Sequence, residues 1–286
     1  MTQKTNNRIL WGLVGVFYLY KIAQALFPQD VPGGAEVGAI VPFVFALIHG
    51  TLSYGWKNLQ VFLWLTLIVS NITENLSILT GFPFGHYYYT EFFGAKLFLV
   101  PIVISVAYFG LGYLSWAVAG SILRRDDGRP AGHLTFTVPL LASILMVSWN
   151  LTFDPILSTL LGAWIWQDGG SYFGVPFSNF MGWFLTVYIF YQLFGLYLKR
   201  QKSPIPAQIS RQHGLQAAVM YGMTGLGTVL TSLFYKVEGT AVDAAGVVWK
   251  VQDIITTCGL VAIFTMLAFT FMALVRIADA EGEAKP

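Results

Sequence analysis

A chain of 286 residues that is 56% hydrophobic and only 10% charged carries less than half the charge of an ordinary soluble domain. It cannot cover a water-facing surface of its size, so it reads as an integral membrane protein. The net charge of +2, with basic residues set between apolar runs rather than in a patch, is too small to argue for nucleic acid, and the single cysteine, Cys258, excludes an internal disulfide.

Eight apolar runs are long enough to cross a hydrocarbon core, which takes about 20 residues. They cover 9–27, 37–54, 60–80, 97–122, 134–163, 178–198, 214–235 and 251–275. The first has no small-x-small cleavage site and reads as a retained helix rather than a signal peptide. Cys258 falls in the last, where it reads as helix packing. The links are short and leave no room for a soluble domain, so the expectation is one all-α polytopic bundle over residues 1–286. With the N-terminus in the cytoplasm, twelve of the sixteen Lys and Arg residues fall on the cytoplasmic side and four outside. That bias sets the orientation and supports an even number of spans, with both termini cytoplasmic.

Two links on the expected outer side are unusual. Residues 80–91 and 164–180 both mix Gly, Pro and aromatics, and each carries a Gly-x-Pro-Phe run, at 81–84 and 174–177. Each follows a helix bearing an acid, so they read as an internal pair. The plainer alternative is an aromatic belt at the membrane interface.

The acids are Glu74, in the third run, and Asp154, in the fifth. A carboxylate inside a membrane span is costly and by default marks function, here proton chemistry in an apolar pocket. Glu74 lies fourteen residues past Gln60 and Asp154 twenty past Leu134, or about 21 and 30 Å at the helical rise. Both reach the outer part of the core, beneath the two aromatic links. Asn71, Glu74, Asn75 and Ile78 follow helical spacing, as do Asn150, Asp154 and Ser158. Amides beside each acid also fit a second reading, in which the acids are hydrogen-bonded nodes that tie helices together. Asp154 precedes Pro155, which disfavours the α conformation and suggests a kink there.

Four histidines, His49, His86, His133 and His213, stand far apart and exclude a membrane di-iron oxygenase. No Cys/His group has metal-ligand spacing, no Asp-rich motif suits magnesium and a diphosphate, and no glycine loop suits a nucleotide. Neither a metal nor a cofactor is called for.

At these positions the chain resembles the membrane carotenoid biosynthesis family that includes bisanhydrobacterioruberin hydratase and γ-carotene hydratase. The likeness rests on Thr73-Glu74-Asn75, on 81–88, on Phe153-Asp154-Pro155, on Trp164-Ile165-Trp166 and on 172–183, and spans about residues 60–190. It implies a hydro-lyase that adds water to the terminal C1–C2 double bond of an acyclic carotenoid, giving a tertiary alcohol. Asp154 would be the general acid and Glu74 the water-orienting base, with the reverse assignment open. Asn71, Asn75, Asn150, Asn179, His86, Tyr87, Tyr172, Trp164, Trp166 and Trp183 would hold the water and the substrate end, the aromatic faces stabilising a passing cation. The partners implied are a lipophilic carotenoid and the bilayer of a prokaryotic plasma membrane. Two other readings use the same acids. A carotenoid end-group cyclase or isomerase would quench the cation without water, and a transporter or lipid-binding scaffold would use the acids as coupling groups.

Overall fold

The computed structural model describes residues 3–27, 30, 31, 33–123, 130–201 and 211–283. Arg124, Arg125, Arg129, Lys202 and Lys285, on which part of the charge count rests, lie outside them, as do Pro28, Gln29 and Pro32; the side chain of Lys4 is likewise not described.

Among the described residues eight helices are long and apolar enough to cross a membrane. They are α1 (Gln3–Leu26), α2 (Gly34–Tyr54), α3 (Trp56–Thr80), α4 (Ile102–Ile122), α5 (Leu134–Pro155), α6 (Phe177–Arg200), α7 (Arg211–Phe234) and a last span that begins as α8 (Val251–Ala262). That span widens into a π-helical stretch at Ile263–Leu267 and ends as α9 (Ala268–Glu283). Large apolar side chains such as Leu79, Phe264 and Phe271 are exposed on the bundle surface, as expected where the solvent is lipid.

Helix α4 is the most buried of the eight. It packs against α2, α3, α5 and α7, and its Tyr108, Tyr113 and Trp116 join Phe62, Phe190, Tyr191 and Phe194 in an aromatic core. Two of the prolines inside the helices, Pro139 and Pro155, are compensated locally. Pro139 leaves the carbonyl of Thr135 without its helical donor, and Gln192 of α6 supplies Nε2 at 3.2 Å.

The fourth span is shorter than expected. Residues 96–101 do not extend the helix; β2 (Lys96–Leu97) folds back on β3 (Val100–Pro101), and α4 starts at Ile102. Apolar composition alone had merged this small hairpin with the helix. The fifth span also ends early, at Leu160.

The two aromatic links are physically paired. Within them β1 (Tyr87–Tyr89) runs antiparallel to β4 (Trp164–Trp166), with Tyr87 opposite Trp166 and Tyr89 opposite Trp164. Alternation along a strand sends these four side chains inward, while Tyr88 and Ile165 point away. Gly81 lets the first link leave α3, capping it at φ 80°, a left-handed conformation that glycine adopts without strain. Gly182 lets the same link settle on α6, since a Cβ there would lie 2.8 Å from the Pro83 carbonyl. A third link, between α7 and α8, forms β5 (Thr240–Val242) and β6 (Val248–Lys250). It joins the other two at the same end of the bundle, through a Trp249–Phe173 ring contact at 5.3 Å.

Candidate active site

The paired links roof a small cavity, and both intramembrane acids face it. Glu74 comes from the last two turns of α3, whose buried face runs Phe62, Thr66, Ser70, Glu74, Ser77. Asp154 comes from the end of α5. Each is almost wholly buried, and they line one cavity of about 40 Å³ with Phe84, Tyr87, Tyr89, Trp149, Asn179 and Trp183 among others.

The two carboxylates have different partners. Glu74 receives only phenol O–H groups: Tyr108 donates to Oε1 at 2.8 Å, Tyr89 donates to Oε2 at 3.0 Å, and Tyr87 also donates to Oε2. Tyr87 and Tyr89 lie on one face of β1, two residues apart. Burial first, and then the neighbouring Glu74 carboxylate, push both phenols well above the usual tyrosine range, so they remain protonated donors. Asp154 receives only N–H groups. The indoles of Trp164 and Trp166 each donate to Oδ1 at 3.2 Å. Asn150 and Asn179 donate to Oδ2 at 3.0 and 2.7 Å. Asn179 also donates to Asn150 Oδ1 at 3.1 Å, while its own Oδ1 is buried and has no partner within the protein.

Asp154 itself is helical although it precedes a proline, and α5 runs through Pro155 into a π-helical turn, Ile156–Leu160. The reason is compensation on both sides of the proline. Its missing N–H strands the carbonyl of Leu151, which accepts a hydrogen bond from the Tyr172 hydroxyl at 3.1 Å. The widened turn lets the Ser158 hydroxyl donate to the Asp154 carbonyl at 2.7 Å. Single π-turns inside α-helices are frequent at functional sites.

The structure therefore brings Glu74, Asp154, Asn150, Asn179, Tyr87, Trp164, Trp166 and Trp183 together. It keeps Asn71, Asn75, His86 and Tyr172 away from the cavity. Asn75 donates to Asn71 and accepts from the backbone N–H of Leu99 at 3.1 Å, so it anchors the β2–β3 hairpin. His86 faces outward beside the exposed Asp168 at 3.1 Å. Sequence reasoning missed Tyr89 and Tyr108. Tyr89 had a signal, since a Tyr-Tyr-Tyr strand sends its first and third residues to one face. Tyr108 had none that distinguishes it from other tyrosines in apolar helices.

A larger, mostly apolar cavity of about 340 Å³ adjoins the small one. The two share Ile104, Ala107, Trp149 and Leu157 as lining. Its volume is in the range of small-molecule pockets. Trp183 stacks on Tyr108 with ring centres 4.5 Å apart and lies 6.4 Å from the ring of Trp149, which lines both cavities, so aromatic rings continue from Glu74 to the boundary of the larger pocket. Among the described residues no group of three or more His, Cys, Asp or Glu is placed to hold a metal ion.

Residues 34–252 match the family described as carotenoid biosynthesis protein. The chain belongs to that family. It is also 25% identical over 189 residues to bisanhydrobacterioruberin hydratase of Haloarcula japonica, a match covering 64% of this chain and 62% of the relative. The chain thus spans less than two thirds of that relative's length. No solved structure matches it.

Proposed function

We propose that this member of the carotenoid biosynthesis family is a hydratase that adds water across the terminal C1–C2 double bond of an acyclic carotenoid. The observation that carries the reading is the pair of carboxylates on one small cavity at the end of an apolar pocket. The polyene end group lies in the larger pocket, and its last isoprene unit reaches past Trp149 and Leu157 to the acids.

The donor sets favour Glu74 as the acid and Asp154 as the base, the reverse of the first assignment from sequence. Indole and amide N–H groups only donate, so the four around Asp154 suit a carboxylate. Phenols both donate and accept, so the three around Glu74 accommodate a carboxylic acid as well as its anion. The Glu74 proton adds to C2, the π electrons form the new C–H bond, and a tertiary cation remains at C1. The Asp154 charge and the faces of Trp183 and Tyr87 stabilise that cation. Water adds to C1 and gives its proton to Asp154. The buried Oδ1 of Asn179 offers that water an acceptor. A proton passing from Asp154 to Glu74 through water in the shared cavity closes the cycle.

Expression in a bacterium that makes an acyclic carotene tests the reading. Pigments heavier by one water per modified end are expected. A cyclic product of unchanged mass would overturn hydration in favour of a cyclase.

A further inference from the structure

The larger pocket contains a charged group that hydration leaves unused. Lys21 of α1 is only 8% exposed and lines the apolar cavity. Its Nζ donates to Gln24 Oε1 at 3.2 Å and lies 5.6 and 5.8 Å from the ring centres of Phe17 and Tyr20. Among the described residues no carboxylate pairs with it. Across from it on α7 is Gly227, where a Cβ would lie 3.2 Å from the Lys21 Cδ, so this helix presents bare backbone to the lysine stem. The next residue, Thr228, is 6% exposed and lines the same pocket. Thr224 and Thr231 on the same helix satisfy their hydroxyls on carbonyls of their own helix; Thr228 makes no such bond.

An ammonium has three N–H donors, and here one is met by Gln24. Burying a charge in an apolar wall without a full set of partners is costly. A hydrocarbon in the pocket would leave those donors unmet, whereas a ligand oxygen would satisfy them. We propose that Lys21, with Gln24 and Thr228, is a subsite for an oxygen atom on the lipophilic ligand. The pocket therefore takes an acyclic polyene bearing a hydroxyl or carbonyl in preference to the pure hydrocarbon. Discrimination of this kind is strong, because a site built to bond an oxygen is left unpaired by the analogue without it. A phospholipid phosphate fits less well. Lys21 is the only cationic residue among those lining the pocket, and the cavity continues to the acids rather than ending at the lysine.

The inference rests on the reading of this pocket as the substrate site, and a binding measurement keeps the two separable. Two acyclic polyenes of equal conjugation, neither with a reactive terminal double bond, are titrated into the purified protein and followed by tryptophan quenching. One carries a hydroxyl and the other none. Because no reaction occurs, the result does not depend on hydration. The wild type should prefer the hydroxylated polyene by about tenfold or more, the effect of one hydrogen bond from a charged donor. Lys21→Met should bring the ratio close to one, and Thr228→Val should lower it in part. Replacing a buried charge by an apolar side chain of similar volume is commonly neutral or stabilising, so the methionine variant should fold. Equal affinities in the wild type, or a preference that persists in Lys21→Met, would overturn the subsite. So would an anionic phospholipid that copurifies with the wild type and is lost from Lys21→Met, with no polyene preference. Failure of both polyenes to bind would overturn the substrate pocket together with the subsite. Binding with the expected preference, but without hydration of a reactive carotene, would leave the subsite standing and remove the hydratase reading.

Discussion

At the residue scale, the proposed chemistry depends on two acids in unlike settings. Glu74→Gln and Asp154→Asn keep side-chain volume but remove the ability to give or take a proton. Each is expected to lower product formation by about 10²–10⁴-fold, the usual contribution of a positioned acid or base, while the protein stays abundant in the membrane fraction. Normal turnover in both would make the acids structural nodes. Tyr108→Phe is a finer test. It removes the phenol donor to Glu74 Oε1 at 2.8 Å but keeps the ring that stacks on Trp183. A loss of about 1.5–3 kcal/mol, or roughly ten- to a hundredfold in turnover, is expected if that bond orients a reacting carboxyl. An unchanged rate would remove Tyr108 from the mechanism.

At the element scale, Pro155 and Tyr172 act as a pair. Tyr172→Phe strands the Leu151 carbonyl that Pro155 has already deprived of its helical donor. It should cost about 1–3 kcal/mol of stability, read as a lower melting temperature in detergent. Adding Pro155→Ala restores an N–H four residues after Leu151, so the double variant should recover much of that loss. A double variant less stable than the single would refute the pairing. The spans themselves were readable from sequence because long apolar runs in a chain this poor in charge have few alternatives. Both acids, the amides Asn150 and Asn179, and the aromatic links were readable for the same reason, as costly or unusual residues in apolar surroundings. Asn71 and Asn75 were misplaced because helical spacing defines an arc rather than a point. The buried arc of α3 is centred on Ser70, Glu74 and Ser77, and the two amides lie at its edge. The β1–β4 pairing was half visible, as two similar links; their register was not, because three-residue strands carry too little pattern.

At the scale of the whole molecule, the two paired links cover the acid cavity and the third meets them at the same end of the bundle, which has eight spans among the described residues, while the apolar pocket runs beside that cavity between helices. The proposed topology, with an even number of spans, puts both termini on one side. With the expected orientation, a reporter fused to the C-terminus should be active in the cytoplasm, and activity only outside would invert the arrangement. The central claim is that the cavity adds water by proton transfer and takes no oxygen from the air. The most direct measurement is an anaerobic reaction in heavy-oxygen, deuterated water, with the product read by mass spectrometry and NMR. The account predicts heavy oxygen at C1 and deuterium at C2. A reaction that stops without air, resumes with oxygen gas and carries that gas in its hydroxyl would contradict it.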